Sequence, residues 1–348
     1  MIESPEVIVF GGAACVCSQE IMRRLIDRKA KAAYIDIQDF HAEGVLVNWI
    51  SNSDDDLIEI TYLRDGRTIS TKELKSAYFR EVAPGISLQK LAGGGRWLLE
   101  AADAEAYHWE QIQRFSGALL EYLSTRCFCL FPRAPSAHAE HKLMQLSLAQ
   151  QCGFRVPETY VGFNLDEMRS FLRRRGRAVV KSFRPHHASG GGRMFRSIVS
   201  VIALEDLDTL KGSRVPVILQ EAVTPKRDVR VGVVGKKVMS VSMTTTGERE
   251  DELVTDVRHY AVLGQYGSSR SVSYERFELP GKMQDRVLRF VKALGLQYSM
   301  MDLGVTPDGE YFFFENNPKG MPGEVGRGGH DVAGAIADLL LNPEENKL

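Results

Sequence analysis

Residues 300–317 read MMDLGVTPDGEYFFFENN, and the pairing of this stretch decides what the chain can be. Two apolar and aromatic runs flank Asp308-Gly309, a dipeptide favoured in two-residue type I′ turns. With those two residues as the turn, Pro307 faces Glu310, and the register running outward sets Asp302 opposite Glu315. Leu303, Val305, Phe312 and Phe314 then share the other face and are expected in the core. Opposed residues hold their Cβ atoms about 4.5–5.5 Å apart, and like charges so placed weaken a sheet. Asn317, two residues beyond Glu315, continues the acidic face. Two carboxylates and an amide oxygen form a hard, oxygen-only donor set suited to magnesium or manganese, which would relieve the repulsion. The same pairing also reads as a hydrated strand end, and the hairpin alone does not separate the two.

Upstream, RAVVKSF (177–183) reads as a buried-type strand carrying Lys181, and RPHHASGGGR follows it. Ser189, Gly190, Gly191 and Gly192 can present successive backbone N–H groups to phosphate oxygens, because glycine tolerates close approach and unusual φ values. Lys181 adds a point charge at the same place. No Gly-Lys-Ser/Thr follows, so this is not a Walker A loop, and a strand comes next, which excludes a dinucleotide-binding fingerprint. A flexible surface turn is the other reading. In VILQEAVTPKRDVRV (217–231) an apolar strand ends in Gln220-Glu221-Ala222-Val223. Its backbone can address an adenine edge while Val223 packs on the base. Asp228 can accept ribose hydroxyls and Arg230 can reach phosphate. As ordinary charges at a strand end, the same residues need no ligand.

The rest of the chain is an α/β sequence. Its 348 residues suggest about two domains of roughly 150 residues, and the first boundary falls in FPRAPS (131–136), punctuated by Pro132 and Pro135. Before it, strands are expected at 7–10, 33–35, 46–50, 57–62 and 77–79, with a turn at Asp65-Gly66 and helices from about Gln19 and over 102–123. After it come a helix over 137–151, a strand opened by Pro157, and a helix over 165–175. Strands at 177–183, 193–199 and 216–221 follow, with a helix over 204–211. A hairpin about Gly235 (229–234 and 237–243), an aperiodic polar loop over 244–273, and helices over 282–294 and 331–341 complete the pattern. The divisions are 1–130, 131–222 and 223–348.

Forty-four Lys and Arg against forty-five Asp and Glu exclude a general affinity for nucleic acid or acidic membranes. No apolar run is long enough to span a bilayer, and Glu3 and Glu6 stand where a signal peptide needs positive charge. Five cysteines, an odd number, point to reduced thiols and a cytoplasmic protein. Cys15/Cys17 and Cys127/Cys129 read as buried free thiols or, less in keeping with their spacing, as a zinc site.

Taken in order, Lys142, Lys181, SGGG, QEAV, DVR, and Asp302 followed by ENN resemble the ATP-grasp ligases over about Phe131–Leu341. That resemblance implies an ATP-grasp fold with an N-terminal α/β domain, and central and C-terminal parts that hold ATP between two sheets. It assigns Lys142 and Lys181 to the phosphates, Ser189–Gly192 to a lid, Gln220, Glu221, Ala222 and Val223 to adenine, and Asp228 to ribose. Asp302, Glu315 and Asn317 go to two magnesium ions, with manganese as a substitute. HKLMQLSLAQQCGFRVPET (141–159), TDVRHY (255–260), EYFFFENNPKG (310–320) and AIADLL (335–340) are similar to the graspetide synthetases. That family includes the microviridin-type peptide ligases and is related to ribosomal-protein glutamate ligases. Of its aromatic-Arg-Arg-Pro motif, SAYFREVAPG keeps Arg80; His141 replaces a usual Asn, Val257 a Trp, and ENNP stands for Glu-Ile-Asn-Pro.

The chemistry so implied is ATP-dependent ligation. Phosphoryl transfer turns a carboxylate into an acyl phosphate, whose charge metals and lysines offset. A hydroxyl or amine then attacks to give an ester or amide. Arg230 and Arg258 are the candidates for holding the acyl phosphate and its oxyanion, and Asp256 for orienting the nucleophile or, as the plainer alternative, forming a structural salt bridge. The expected partner is a precursor peptide with a leader and an acidic core, without nucleic acid or membrane, and the resemblance is compatible with a homodimer. A ligase joining small amino acids or tailoring a metabolite, and a non-catalytic nucleotide-binding module, are the alternatives. Retention of both lysines and of the paired acids speaks against the last.

Overall fold

The computed structural model describes residues 2–12, 15–36, 39, 44–51, 56–80, 101–183, 187–190, 193–196, 200–210, 215–223, 226–246 and 271–348. The chain opens with β1 (Ile2–Glu3) and β2 (Val7–Gly11), and α1 (Val16–Asp27) crosses back to β3 (Ala32–Asp36), parallel to β2. β4 (Val45–Ser51), β5 (Asp56–Tyr62) and β6 (Thr68–Ser70) form a meander, with Gly66 at φ +68° in the expected Asp65-Gly66 turn. β7 (Ser76–Phe79), the long α2 (Ala101–Arg126) and β8 (Phe128–Leu130) complete this part. A parallel sheet, β3-β2-β7-β8, lies beside a mixed one, β1-β6-β5-β4. β2 is buried on both faces, which is why it reads as an unbroken apolar run. Val7 and Val9 pack toward α1, whereas Ile8 and Phe10 pack toward Leu119, Leu120 and Leu123 of α2.

At the junction Phe131 takes a left-handed φ of 71°, its ring held edge-on between Tyr78 (5.3 Å) and Tyr298 (4.9 Å). The single helix expected over 137–151 is two, α3 (Arg133–Ala139) and α4 (Lys142–Gln151). Pro135 does not delay the first, because it sits in the opening turn, where N–H groups have no intrahelical partner. Then come β9 (Thr159–Gly162), α5 (Leu165–Arg175), β10 (Arg177–Lys181), β11 (His187–Gly190), β12 (Arg193–Arg196), β13 (Ser200–Ala203) and β14 (Val217–Glu221). Asn164 caps α5 by accepting from the N–H groups of Asp166 and Glu167, and Arg173, Arg174 and Arg175 complement the dipole at its far end. The antiparallel sheet β13-β10-β14-β9 buries Ala178 and Leu219 against Met168, Phe171 and Leu172 of α5. Of the strand expected over 193–199, residues 193–196 form β12 and pair with β11, and 197–199 lie outside the described residues; β13, from Ser200, pairs with β10. The helix expected over 204–211 is a 3-10 helix, Leu204–Leu210.

The last part contains β15 (Arg227–Val234), β16 (Lys237–Thr246), β17 (Ser271–Arg276), α6 (Gly281–Ala293), β18 (Tyr298–Val305), β19 (Tyr311–Asn317), α7 (Gly323–Arg327), α8 (Val332–Leu341) and α9 (Pro343–Asn346). Its antiparallel sheet runs β17-β16-β15-β18-β19. Val229, Val231, Val233, Met301, Leu303 and Phe313 face a core shared with α6, while Val234, Met300, Val241 and Tyr298 face α8 and the N-terminal sheet. The stretch expected as a loop over 244–273 is strand at both ends, in β16 and β17; residues 247–270 lie outside the described residues. Among the described residues no helix is long and apolar enough to cross a membrane.

Candidate active site

β18 and β19 do place Asp302 opposite Glu315, by a route the sequence did not reveal. The turn holds three residues. Gly309 N–H donates to Thr306 O at 2.9 Å and Thr306 N–H to Glu310 O at 3.0 Å, with Pro307 at the second turn position and Gly309 at φ +84°. Val305, Gly304 and Leu303 therefore pair with Tyr311, Phe312 and Phe313, one residue off the expected register. A bulge between Leu303 and Asp302 absorbs Phe314 and restores the Asp302–Glu315 pair. The bulge also exchanges two rings. Phe313, not Phe314, is the fully buried core residue, and Phe314 turns toward Lys181 (5.7 Å) and Lys226 (5.3 Å).

Cations already relieve the repulsion between the paired acids. Arg230, the β15 neighbour of Asp302, is 3% exposed and donates from Nη1 to Asp302 Oδ1 at 2.5 Å. Lys142, at the start of α4, donates to Glu315 Oε2 at 2.9 Å. Asn317 lies between them, its amide satisfied with nitrogen toward Glu315 Oε1 (2.9 Å) and oxygen toward Arg230 Nη1 (3.3 Å). The pairing by itself thus requires no metal, since these cations offset the charge that an ion would otherwise relieve. The donor chemistry still fits one. Asp302, Glu315 and Asn317 can each offer an oxygen ligand, and among the described residues no group of three or more His, Cys, Asp or Glu gathers as a metal site, here or elsewhere. A platform of two acids suits magnesium, which keeps water and substrate oxygens as its other ligands.

Gln145 sets the height of α4 over this platform. Buried at 2% exposure, its Nε2 donates to Ala139 O at 2.6 Å and Asn316 O at 2.8 Å, and its oxygen accepts from Asn316 N–H at 3.0 Å. One side chain therefore takes a carbonyl at the end of α3 and both backbone groups of Asn316, fixing Lys142 above Glu315. Below, Tyr298 donates its hydroxyl to Gly320 O at 2.7 Å, pinning the loop that follows β19; burial pushes this phenol's pKa well up.

A cleft between the central and C-terminal sheets is lined by Lys181, Gln220, Glu221, Val223, Asp228, Asp302, Phe314 and Glu315, together with Val179, Lys226, Val229, Met243 and Leu303. Lys181 Nζ donates to Gln220 Oε1 at 2.5 Å, and Gln220 to Thr159 Oγ1 at 3.2 Å. Asp228 pairs with the buried Lys226. The Glu221 carboxylate is taken by Arg175 (3.2 Å) and the Glu158 N–H (3.2 Å), and its own N–H donates to Glu158 O at 2.9 Å, so its side chain is not free to address a base edge. Ala222 follows it in the linker. Ser189 and Gly190 lie in the separate β11-β12 hairpin. Gly191, Gly192, Asp256 and Arg258 lie outside the described residues. The five cysteines are free thiols. Reading the sequence did not single out Lys226, Gln145 or Glu324, and it placed Phe314 in the core rather than at the cleft. Lys226 alone carried a signal, standing two residues before Asp228.

The whole chain superposes on solved structures. It is similar to a RiPP-associated ATP-grasp ligase from Chryseobacterium gregarium in complex with ADP and a leader and core peptide, at TM-score 0.82 and 18% identity over 97% of this chain and 96% of that one. The chain has the ATP-grasp fold. It is also similar to the macrocyclase MdnC from Microcystis aeruginosa MRC bound with precursor peptide MdnA (TM-score 0.75, 22% identity, 99% and 100% covered). A third ATP-grasp match is PsnB complexed with a phosphomimetic variant of a minimal precursor, Mg and ADP (0.71, 21%, 98% and 99%). No family model and no curated protein matches the sequence.

Proposed function

We propose that this chain is an ATP-dependent carboxylate ligase that closes side-chain esters or amides within a ribosomally made precursor peptide. The observation that carries the reading is the Asp302–Glu315 pair, with Asn317 beside it, at the edge of a cleft lined by Lys181 and the β14 linker. Support comes from the fold and from the ADP, Mg and precursor peptides bound to its structural neighbours. The linker Gln220–Val223 would hold adenine, Asp228 the ribose, and Lys142, Lys181 and the Ser189–Gly192 stretch the phosphates. Asp302, Glu315 and Asn317 would hold magnesium, which neutralises charge on the transferring phosphoryl group. Arg230 and Arg258 would hold the acyl phosphate and its oxyanion, and Asp256 would orient the nucleophile or form a structural salt bridge.

Nucleotide binding in this arrangement is an exchange of partners. Lys142 and Lys181 are now held by Glu315 and Gln220, and phosphate oxygens would draw them away. The test is incubation with ATP, magnesium and the short acidic peptide encoded beside the gene, followed by mass spectrometry. Loss of one water per bond, with ADP formed in step, is the expected result. A gain in peptide mass would mean addition of a separate molecule, and no ADP formation would reject the ligase.

A further inference from the structure

Arg230 faces a second carboxylate that this assignment does not use. Its Nε lies 4.0 Å from Glu324 Oε2, too far for a hydrogen bond, and both atoms are buried without a hydrogen-bond partner among the described residues. Glycines create this approach. A Cβ on Gly232 would press on Met300 and touch Val325, and one on Gly328 would overlap Val241, so α7 lies close against β15 and β16. Gly320 likewise leaves room for Arg230 Nη2. One guanidinium thus spans from Asp302, at 2.5 Å, to Glu324. A buried donor and a buried acceptor left facing each other are costly unless something completes both.

The geometry points to this gap as the seat of the attacking nucleophile, with Glu324 as the residue that takes its proton and a hydroxyl as its occupant; the inference rests on the ligase reading above. The occupant must accept from Arg230 Nε and donate to Glu324 Oε2. A hydroxyl does both and keeps a second lone pair for the attack, whereas a neutral amine that accepts from Nε has no lone pair left to attack with. As the hydroxyl oxygen attacks the acyl carbon, its proton passes to Glu324. The ester C–O bond forms, the bond from the acyl carbon to the phosphate oxygen breaks, and its electron pair leaves with phosphate. Phosphate then takes the proton from Glu324, restoring the carboxylate. Ester closure, not amide closure, follows.

The test separates the two half-reactions with Mg-ATP, the same neighbouring peptide, and hydroxylamine to trap the acyl phosphate as a hydroxamate. E324Q should lower peptide closure about 100-fold, the usual minimum for loss of a proton acceptor, while hydroxamate forms as in the unmodified enzyme. E324D should recover part of the closure. The product should regain one water in mild alkali, as an ester does. Closure by E324Q at the original rate, a proportional loss of hydroxamate, or an alkali-stable product would overturn the assignment. If the unmodified enzyme forms no hydroxamate, the ligase reading falls, and this inference with it.

Discussion

Glu315 is held at both oxygens, by Lys142 on Oε2 and by the Asn317 amide near Oε1. Its side chain and that of Lys142 keep 25% and 17% of their exposure, so water reaches the pair and its worth to folding is small. Glu315→Ala should therefore abolish magnesium-dependent ADP formation while shifting stability by about 1 kcal/mol or less. Turnover assays and thermal melts on the same preparation check both halves, and unchanged turnover would remove the metal assignment. Arg230 cannot serve as the probe. It and Asp302 are nearly closed to solvent, at 4% and 12%, and removing one partner would strand a buried charge at a cost of about 3–5 kcal/mol. Loss of activity there would not be separable from loss of fold.

At the scale of elements, the clamp between α4 and β19 is the part most exposed to a single change. Gln145→Leu would leave Ala139 O and both backbone groups of Asn316 without their partner, costing on the order of 3 kcal/mol. A lower urea midpoint together with a severalfold higher KM for ATP is expected, because Lys142 stands three residues away on the same helix. An unchanged KM would mean that the clamp does not position Lys142. Gln145 was illegible in the sequence, since a glutamine in a helix carries no mark of which backbone it will meet. Glu324 was hidden for the same reason, its reach to Arg230 depending on glycines in β15 and after α7. The β18-β19 hairpin was legible in outcome but not in path. The turn was read one residue short and the bulge not at all, and the two offsets cancel at Asp302 while exchanging Phe313 for Phe314. β17 escaped because its hydrogen-bond partner, β16, lies across a long intervening segment, and a period of two over six residues is weak in a polar stretch. Strands with dense apolar runs, such as β2, β10 and β18, were plain because burial alone specifies them.

Over the whole molecule, the first and last thirds of the chain share one core. Val7 and Val9 of β2 and Ile21 and Leu25 of α1 pack with Val234, Tyr298, Met300 and the buried side of α8. Polar ties reinforce it: Ser76 Oγ donates to Leu340 O at 2.6 Å, and Arg24 pairs with Asp331 at 3.1 Å. Asp338 on α8 ties together three parts of the fold, pairing with Arg28, at the C-terminal cap of α1, at 2.9 Å and with Lys237 of β16 at 3.0 Å. Partial burial pushes its carboxyl up, but the hydrogen bonds from Lys237 and Arg28 prevail and hold it below the usual carboxylate range. A carboxyl whose pKa is lower folded than unfolded adds stability above the unfolded value, about 4, and loses it as the pH falls through the folded one. Because Asp338 is 36% exposed, solvent screening limits that contribution to below about 1 kcal/mol. Asp338→Asn should therefore be slightly less stable than the unmodified protein at pH 7, with the difference closing as the pH drops below about 4. Urea denaturation of both proteins across that range measures it. A difference that stays constant with pH would mean that the carboxylate charge plays no part in joining α8 to the end of α1 and to β16.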